Sequence, residues 1–456
     1  MPLSLYRIFF ILVILGFGLT YYWYRVNFLP ISNNFYTNNT GRCYIPEWNR
    51  VETSSASNSF WKSISRLLWM SLDLSNENNQ NYTSIILIGA YVYPEYISIT
   101  LNSQYMSKQL LYCRYFDCKR KEIQGSEWQG VVFPESVIHC PRRIGAEFVS
   151  VSKFKTDGFP TPMRLTFRAF EKPIHDFTIC VAPLYGNEPK WIQITEFIEH
   201  HKMEGASFFY FHIGAISSYD RRILDEYVNN GDIEVKVLQE KYERPFYAWQ
   251  LIEIQDCHMR AKYHSKWTTF IDIDERIYTQ NGNILDFLNS EDNGRIAEIQ
   301  IPVLNFVKYE DAPEIYNDES QIQKELISMK YDRTTGLTWN ASKALIRPEK
   351  IGIMSIHYAI ALEHGYVSLR ADASEKIALR HYRSTQHREN GSNWDEGLVI
   401  FENTLPSEFL SELTRRVIEK VKSVYEKVPT ICSYIPRVMW ESREFPDPCE
   451  RMLLTW

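Results

Sequence analysis

From Thr178 onward the sequence predicts an α/β fold on a largely parallel sheet. Three observations predict it: strand-like and helix-like stretches alternate at βαβ spacing, the first two helices end in glycine, and the fourth strand closes in carboxylates. TICVAPLYG reads as the first strand. WIQITEFIEHHKMEG follows as a helix, with Ile194, Phe197 and Ile198 on one face and Gly205 as its stop. SFFYFHIG is the second strand. SYDRRILDEYVNNG is the second helix, its stripe made by Ile223, Leu224, Tyr227 and Val228 and its end marked by Gly231. DIEVKVL alternates strictly, as a third strand should. YAWQLIEIQDCHMRAKYH places Leu251, Ile254, Cys257 and Ala261 in helical register, and WTTFIDI is the fourth strand. IAEIQIPVLNF is expected to form a further strand. The polar stretch KYEDAPEIYNDESQ then separates it from SKALIRPEKIGIMSIHYAI and from a last helix around SEFLSELTRRVIEKVKSVYEK. This α/β domain is expected over 178–430, with 431–456 as an extension.

Before it, short β-like runs broken by turns (SIILIGAYVY, YISITL, LLYCRYF, GVVF, AEFVSVSKF, MRLTFRAF) predict a small β-rich domain over 81–177. Its aromatics are expected in a sandwich core rather than on an exposed sugar-binding platform. Residues 26–60 are rich in Asn, Ser and Thr without periodicity, and a stem over 25–80 is expected as a tether with no packed core. The chain opens with Arg7 and then carries no charge until Arg25, so 8–24 reads as an uncleaved membrane anchor and 1–7 as a cytoplasmic tail. A cleaved signal peptide is the competing reading, but no small-x-small site follows the apolar core.

The 456 residues are 45 % hydrophobic and 14 % aromatic, which excludes a disordered chain. A net charge of −6 without a long basic block argues against a general nucleic-acid surface. Asn38, Asn81, Asn340 and Asn390 each begin N-x-S/T and follow the apolar segment. Eight dispersed cysteines, Cys43, Cys113, Cys118, Cys140, Cys180, Cys257, Cys432 and Cys449, lack a zinc pattern and read as lumenal disulfides, with no pairing assigned. Cys257, in a predicted helix, is a candidate buried thiol instead.

The chemistry concentrates in WTTFIDIDERI. In a strand, residues i and i+2 project to the same side, so Asp272 and Asp274 would present both carboxylates to one point while Glu275 faces away and supports the loop. Hard oxygen donors favour Mg²⁺ or Mn²⁺, completed by substrate phosphates. About one D-x-D is expected by chance at this acidic content, but position after three βα units, at the carboxyl end of a buried strand, favours a ligand site.

CVAPLYG, WIQITEFIEHHKMEGASFFYFHI, YDRRILDEYVNNGDIEV, the D-x-D block, SKALIRPEKIGIMSIH and ALRHYR together resemble glycosyltransferase family 92. The resemblance implies a GT-A (Rossmann-like) fold, a nucleotide-sugar donor, and a D-x-D motif that binds Mn²⁺ and the donor diphosphate. It also implies a single-pass type II Golgi membrane protein with a lumenal catalytic domain. Characterised members move galactose from UDP-galactose, with inversion, into a β-1,4 linkage. A nematode-type member acts on the core fucose of N-glycans, and plant relatives extend galactan. On this resemblance Asp274 is expected as the direct metal ligand and Asp272 as a contact to the ribose or a metal-bound water. His381 or His357 would be the third ligand, and Tyr185 or Gly186, after the first strand, would meet the uridine.

Lys343, Arg347, Arg380 and Arg383 are candidate phosphate clamps, because cations, and Arg most of all, pair with phosphate oxygens. Inversion needs a carboxylate base for the acceptor hydroxyl. Glu310 and Asp311 are the first candidates, with Glu314 and Asp318 left open. Trp249 and Trp339 are candidate sugar platforms, whereas Trp267 reads as core. The competing functional readings are a transferase using another UDP-sugar, an inactive carbohydrate-binding membrane protein, and a metal-dependent hydrolase.

Overall fold

The strands from His175 onward build the sheet that carries the carboxylates. The computed structural model describes residues 43–54, 84–103, 106–238, 246–372, 377–384 and 401–426. The expected anchor 8–24, the tail 1–7, Asn38, Asn81, Asn390, Cys432, Cys449 and the extension 431–456 lie outside the described residues. Among the described residues no helix is long and apolar enough to cross a membrane. Asn340 is exposed.

Two four-stranded sheets form the β-rich unit. One comprises β1 (Ile86–Val92), β2 (Tyr96–Asn102), β5 (Val137–Pro141) and β8 (Thr166–Phe167); the other comprises β3 (Leu110–Phe116), β4 (Trp128–Val131), β6 (Phe148–Ser152) and β7 (Met163–Arg164). Their inner faces enclose Val92, Ile97, Ile99, Tyr115, Val149 and Val151. Cys113–Cys140 joins the two sheets. Residues 43–54, expected as tether, are instead packed onto this unit: Cys43 is bonded to Cys118, and the Asn49 side-chain amide donates to the Ala146 carbonyl at 2.9 Å. The low periodicity of that segment concealed a covalent pin.

β9 (His175–Leu184) opens the α/β unit. It is followed by α1 (Trp191–Met203), β10 (Phe208–Ile213), α2 (Ser218–Asn229), β11 (Ile233–Val237), α3 (Phe246–Ala261) and β12 (Ser265–Ile271). The strands lie in the order β11-β10-β9-β12, and all three pairings are parallel. The chain therefore winds outward from β9 and returns on its other side. Ligands of such sheets bind outside the carboxyl ends where the winding reverses, here between β9 and β12. Beyond β12 the sheet becomes mixed, through β13 (Glu275–Thr279), α4 (Ile284–Glu291), β14 (Ile296–Lys308), α5 (Glu319–Glu325), α6 (Ile327–Lys330), β15 (Arg333–Thr334), β16 (Thr338–Ile346), the hairpin β17 (Ile351–Met354) and β18 (Ala359–Leu362), β19 (Val367–Arg370), β20 (Ile377–Ser384), β21 (Phe401–Glu402) and α7 (Ser407–Tyr425). β16 runs antiparallel to both β12 and β14, and β20 antiparallel to β13.

Both faces of the sheet are covered, which is why its strands read as continuous apolar runs. Phe177, Ile179 and Val181 of β9 pack under α1, α2 and α7. Cys180 points the other way, against Ile254, Cys257 and Ala261 of α3. Cys257 is not a free thiol: it is bonded to Cys180 and ties α3 to β9. Helix starts are set by polar caps. Ser217 accepts the Asp220 amide at 3.0 Å, and Asp220 in turn accepts the first amides of α1, from Lys190 at 2.9 Å and Trp191 at 2.8 Å. The β-rich unit docks on α3, where the Tyr91 hydroxyl donates to Asp256 at 2.8 Å and the Tyr93 hydroxyl to the Met259 carbonyl at 2.5 Å.

This packing carries a stability cost in acid. Burial pushes His200 and His264 down to about 3 and His212 to about 4, below the ordinary histidine value near 6.5. All three are neutral in the folded chain but bind protons when unfolded as pH falls through 6.5. Stability present above that pH is thus lost below it, by up to about 1.4 kcal/mol per pH unit for each group. The thermal midpoint is expected to drop steeply between about pH 6.5 and 4.5; a flat midpoint across that window contradicts the assignment.

Candidate functional site

Pairing between β9 and β12 ends at Val181 and Ile271, and the chain then turns through Asp272, Ile273 and Asp274. The Glu275 amide donates to the Asp272 carbonyl at 3.0 Å, which closes the turn and starts β13 on a new course against β20. The D-x-D thus occupies a turn rather than a strand. Period-two alternation does not apply there, and Glu275 does not face away. Its carboxylate accepts the Asp272 amide at 2.8 Å, so it supports the loop from inside the cluster.

Three side chains from other elements surround the turn. Lys343, from β16, places Nζ 3.2 Å from Asp272 Oδ2 and 3.1 Å from Glu275 Oε2. Gln250, in α3, donates to Asp272 Oδ1 at 3.1 Å. His381 lies directly across from Glu275 in the β13–β20 ladder. Its Nε2 is 3.6 Å from Asp274 Oδ2 and its Nδ1 is 3.6 Å from Glu275 Oε1. The Glu275 and Lys343 side chains are only 2 % and 3 % exposed, whereas those of Asp272 and Asp274 are 29 % and 31 % exposed. The cluster has a closed floor and an open rim.

Charge follows that division. Burial drives Glu275 up to about 7 against the pull of Lys343, with Asp272 and Asp274 adding repulsion. Burial would also raise Asp274, but the facing His381 holds it down at about 2. His381 is raised in return, the Asp274 carboxylate outweighing burial. Asp274 therefore stays ionised at any working pH, next to an imidazole nitrogen.

The donor set fits a hard divalent ion, since carboxylate oxygen and imidazole nitrogen suit Mn²⁺ and the carboxylate also suits Mg²⁺. It is not a closed protein cage. Among the described residues the three potential donors brought within 4.8 Å of one another are Cys180, Glu253 and Cys257, and both cysteines are spent in their disulfide. An ion at Asp274 and His381 would draw its remaining ligands from phosphate and water, the usual composition when a diphosphate is the substrate.

The other predicted residues divide. Tyr185, exposed, and Gly186, at a left-handed φ of 85°, follow β9 at the winding reversal, beside the same edge as the D-x-D. His357 donates from Nδ1 to the Ser342 carbonyl at 3.0 Å and lies within electrostatic reach of Lys343, Asp272 and His381, its pKa lowered chiefly by burial. Arg383 sits two residues past His381, opposite Val307. Arg347 is not brought to the cluster. β16 runs antiparallel to β12, so four residues from Lys343 carry it roughly 13 Å toward the wrong end of the strand. There it pairs with Asp292 and covers the buried Trp267 ring. Arg380 faces away from His381 and donates to Asn403. Trp339 lies under Arg370, and Trp249 is half-buried in α3.

The base candidates also separate. Glu310 is drawn off by Lys330 at 2.7 Å, and Asp318 is committed to capping α5. Glu314 is exposed. Asp311 lies within electrostatic reach of Lys308, the last residue of β14, whose pKa burial lowers and which Asp274 and Glu188 also influence. Lys308 thereby carries a cation within electrostatic reach of the D-x-D, the loop after β9 and the loop after β14. Sequence reading missed Lys308, Gln250 and the inward Glu275. The one available signal for Lys308 was a lone cation closing a long apolar strand.

The model of glycosyltransferase family 92 matches residues 175–421, more than half the chain. Galactan beta-1,4-galactosyltransferase GALS1 of Arabidopsis thaliana is 24 % identical over 264 residues, covering 56 % of this chain and 48 % of its own. GALS2 of the same plant, also a galactan beta-1,4-galactosyltransferase, is 23 % identical over 320 residues, covering 64 % and 59 %. The chain thus spans about half the length of the curated relatives it matches. Among solved structures, S. aureus TarS 1-349 in complex with UDP-GlcNAc overlaps 59 % of this chain and 74 % of that one at 11 % identity and a TM-score of 0.25, a likeness too loose to bear on the site.

Proposed function

This chain belongs to glycosyltransferase family 92, and on that premise we propose that it transfers galactose from UDP-galactose, with inversion and a divalent metal, onto a glycan acceptor in a β-1,4 linkage. The observation that carries the reading is the Asp274–His381 pair at the open rim of a cluster located where the parallel strands reverse their winding. The plant relatives, galactan beta-1,4-galactosyltransferases, support galactose as the sugar.

A Mn²⁺ or Mg²⁺ held by Asp274 and His381 would offset the negative charge that develops on UDP as it leaves. Asp272, fixed by Gln250 and Lys343, presents a carboxylate to the ribose side of the donor. Lys308 faces the same space and attracts the departing diphosphate. Asp311 takes the proton of the acceptor hydroxyl as its oxygen bonds to the anomeric carbon and the bond to UDP breaks. Tyr185 and Gly186 border the position of the uracil.

The acceptor to test first is the core fucose of N-glycans, and the working location is the Golgi lumen, with 8–24 as the anchor. The test is a donor-by-acceptor screen of the full-length chain with Mn²⁺ added or chelated. Galactosylated product from UDP-galactose only with metal is expected. Transfer from a different UDP-sugar alone would leave the site reading intact and remove galactose; no transfer and no donor turnover would remove the activity.

A further inference from the structure

Lys343 was expected as a phosphate clamp, but its surroundings describe another role. A nearly buried ammonium between two carboxylates is a built ion triad. It cannot swing toward a phosphate without stranding Glu275, whose side chain is 2 % exposed. Asp272 is held at three points: Lys343 at Oδ2, Gln250 at Oδ1, and Glu275 at its backbone amide. Asp274 differs: it is more open, and His381 approaches it at the longer distance of 3.6 Å. The placement follows from topology, because β16 pairs with β12 at Thr268–Ile346 and Thr269–Leu345, and two residues further Lys343 comes level with the end of β12.

We propose that Lys343 is a positioning residue that, with Gln250, keeps Asp272 outside the inner shell of the ion and leaves the ion to Asp274 and His381. A fixed positive charge at the floor also opposes a bare dication. The ion is therefore held well only when it arrives with the diphosphate, whose charge Lys343 complements. This rests on the reading of Asp274 and His381 as the metal pair.

The test is a Mn²⁺ titration of the full-length chain without nucleotide, followed by the electron spin resonance of free Mn²⁺. Lys343→Met is expected to tighten nucleotide-free Mn²⁺ binding by about tenfold or more while lowering kcat, and Lys343→Arg to stay within about threefold of the native affinity. A merely structural lysine would not tighten metal binding on removal, and Arg would not restore the native value. Unchanged or weaker binding in folded Lys343→Met overturns the proposal. Should that variant not fold, the isosteric Asp272→Asn decides: a smaller loss than in Asp274→Asn supports the proposal, and an equal loss overturns it. If Asp274→Asn itself binds Mn²⁺ as the native chain does, the metal-pair reading fails instead.

Discussion

Asp274→Asn lowers transfer by about 10³-fold or more, equivalent to roughly 4 kcal/mol of transition-state stabilisation, with the fold retained. The side chain lies in a turn and is 31 % exposed. Its contact with His381 is an open ion pair, so the stability change stays within about 1 kcal/mol. The loss falls on the chemical step because Asn keeps the shape but removes the charge of the one rim carboxylate that His381 holds ionised. Initial rates at saturating UDP-galactose and Mn²⁺, read beside the thermal midpoint, check both parts. A variant within a few-fold of the native rate would move the metal to other residues.

Asp311→Asn is the second large effect. A general base contributes about 10²- to 10⁴-fold, so kcat drops within that range while donor binding stays close to native. Glu310→Gln is its neighbour and control. Glu310 is already neutralised by Lys330, which also contacts Glu325, so its replacement disturbs a loop ion pair and leaves kcat within about threefold. Single-turnover rates for the pair of variants separate them. Equal effects would show that proximity to Lys308 was the wrong criterion for choosing between them.

The parallel half of the fold was legible because each βα unit carries its own signals. Gly205 and Gly231 both adopt left-handed φ, 95° and 77°, just where the first two helices stop. The mixed half was not, since the pairing of β13 with β20 joins residues about a hundred positions apart. The D-x-D was found by its place in the chain, yet its geometry was misread. Strand alternation assumes that pairing continues, and β12 loses its partner at Ile271. The inward Glu275 follows from the turn that ends β12, whereas the seat of Lys343 and the distance of Arg347 depend on β16 lying antiparallel to β12, a register that no local pattern encodes. Disulfide pairing was equally invisible, because Cys180 and Cys257 meet only once α3 covers β9.

The most direct measurement is calorimetric titration of UDP into the full-length chain with Mn²⁺ present and with a chelator. The cluster at Asp274 and His381 predicts one UDP bound per chain when Mn²⁺ is present, with binding lost in chelator and in Asp274→Asn. Equal UDP binding with and without metal, unaffected by that substitution, would contradict it.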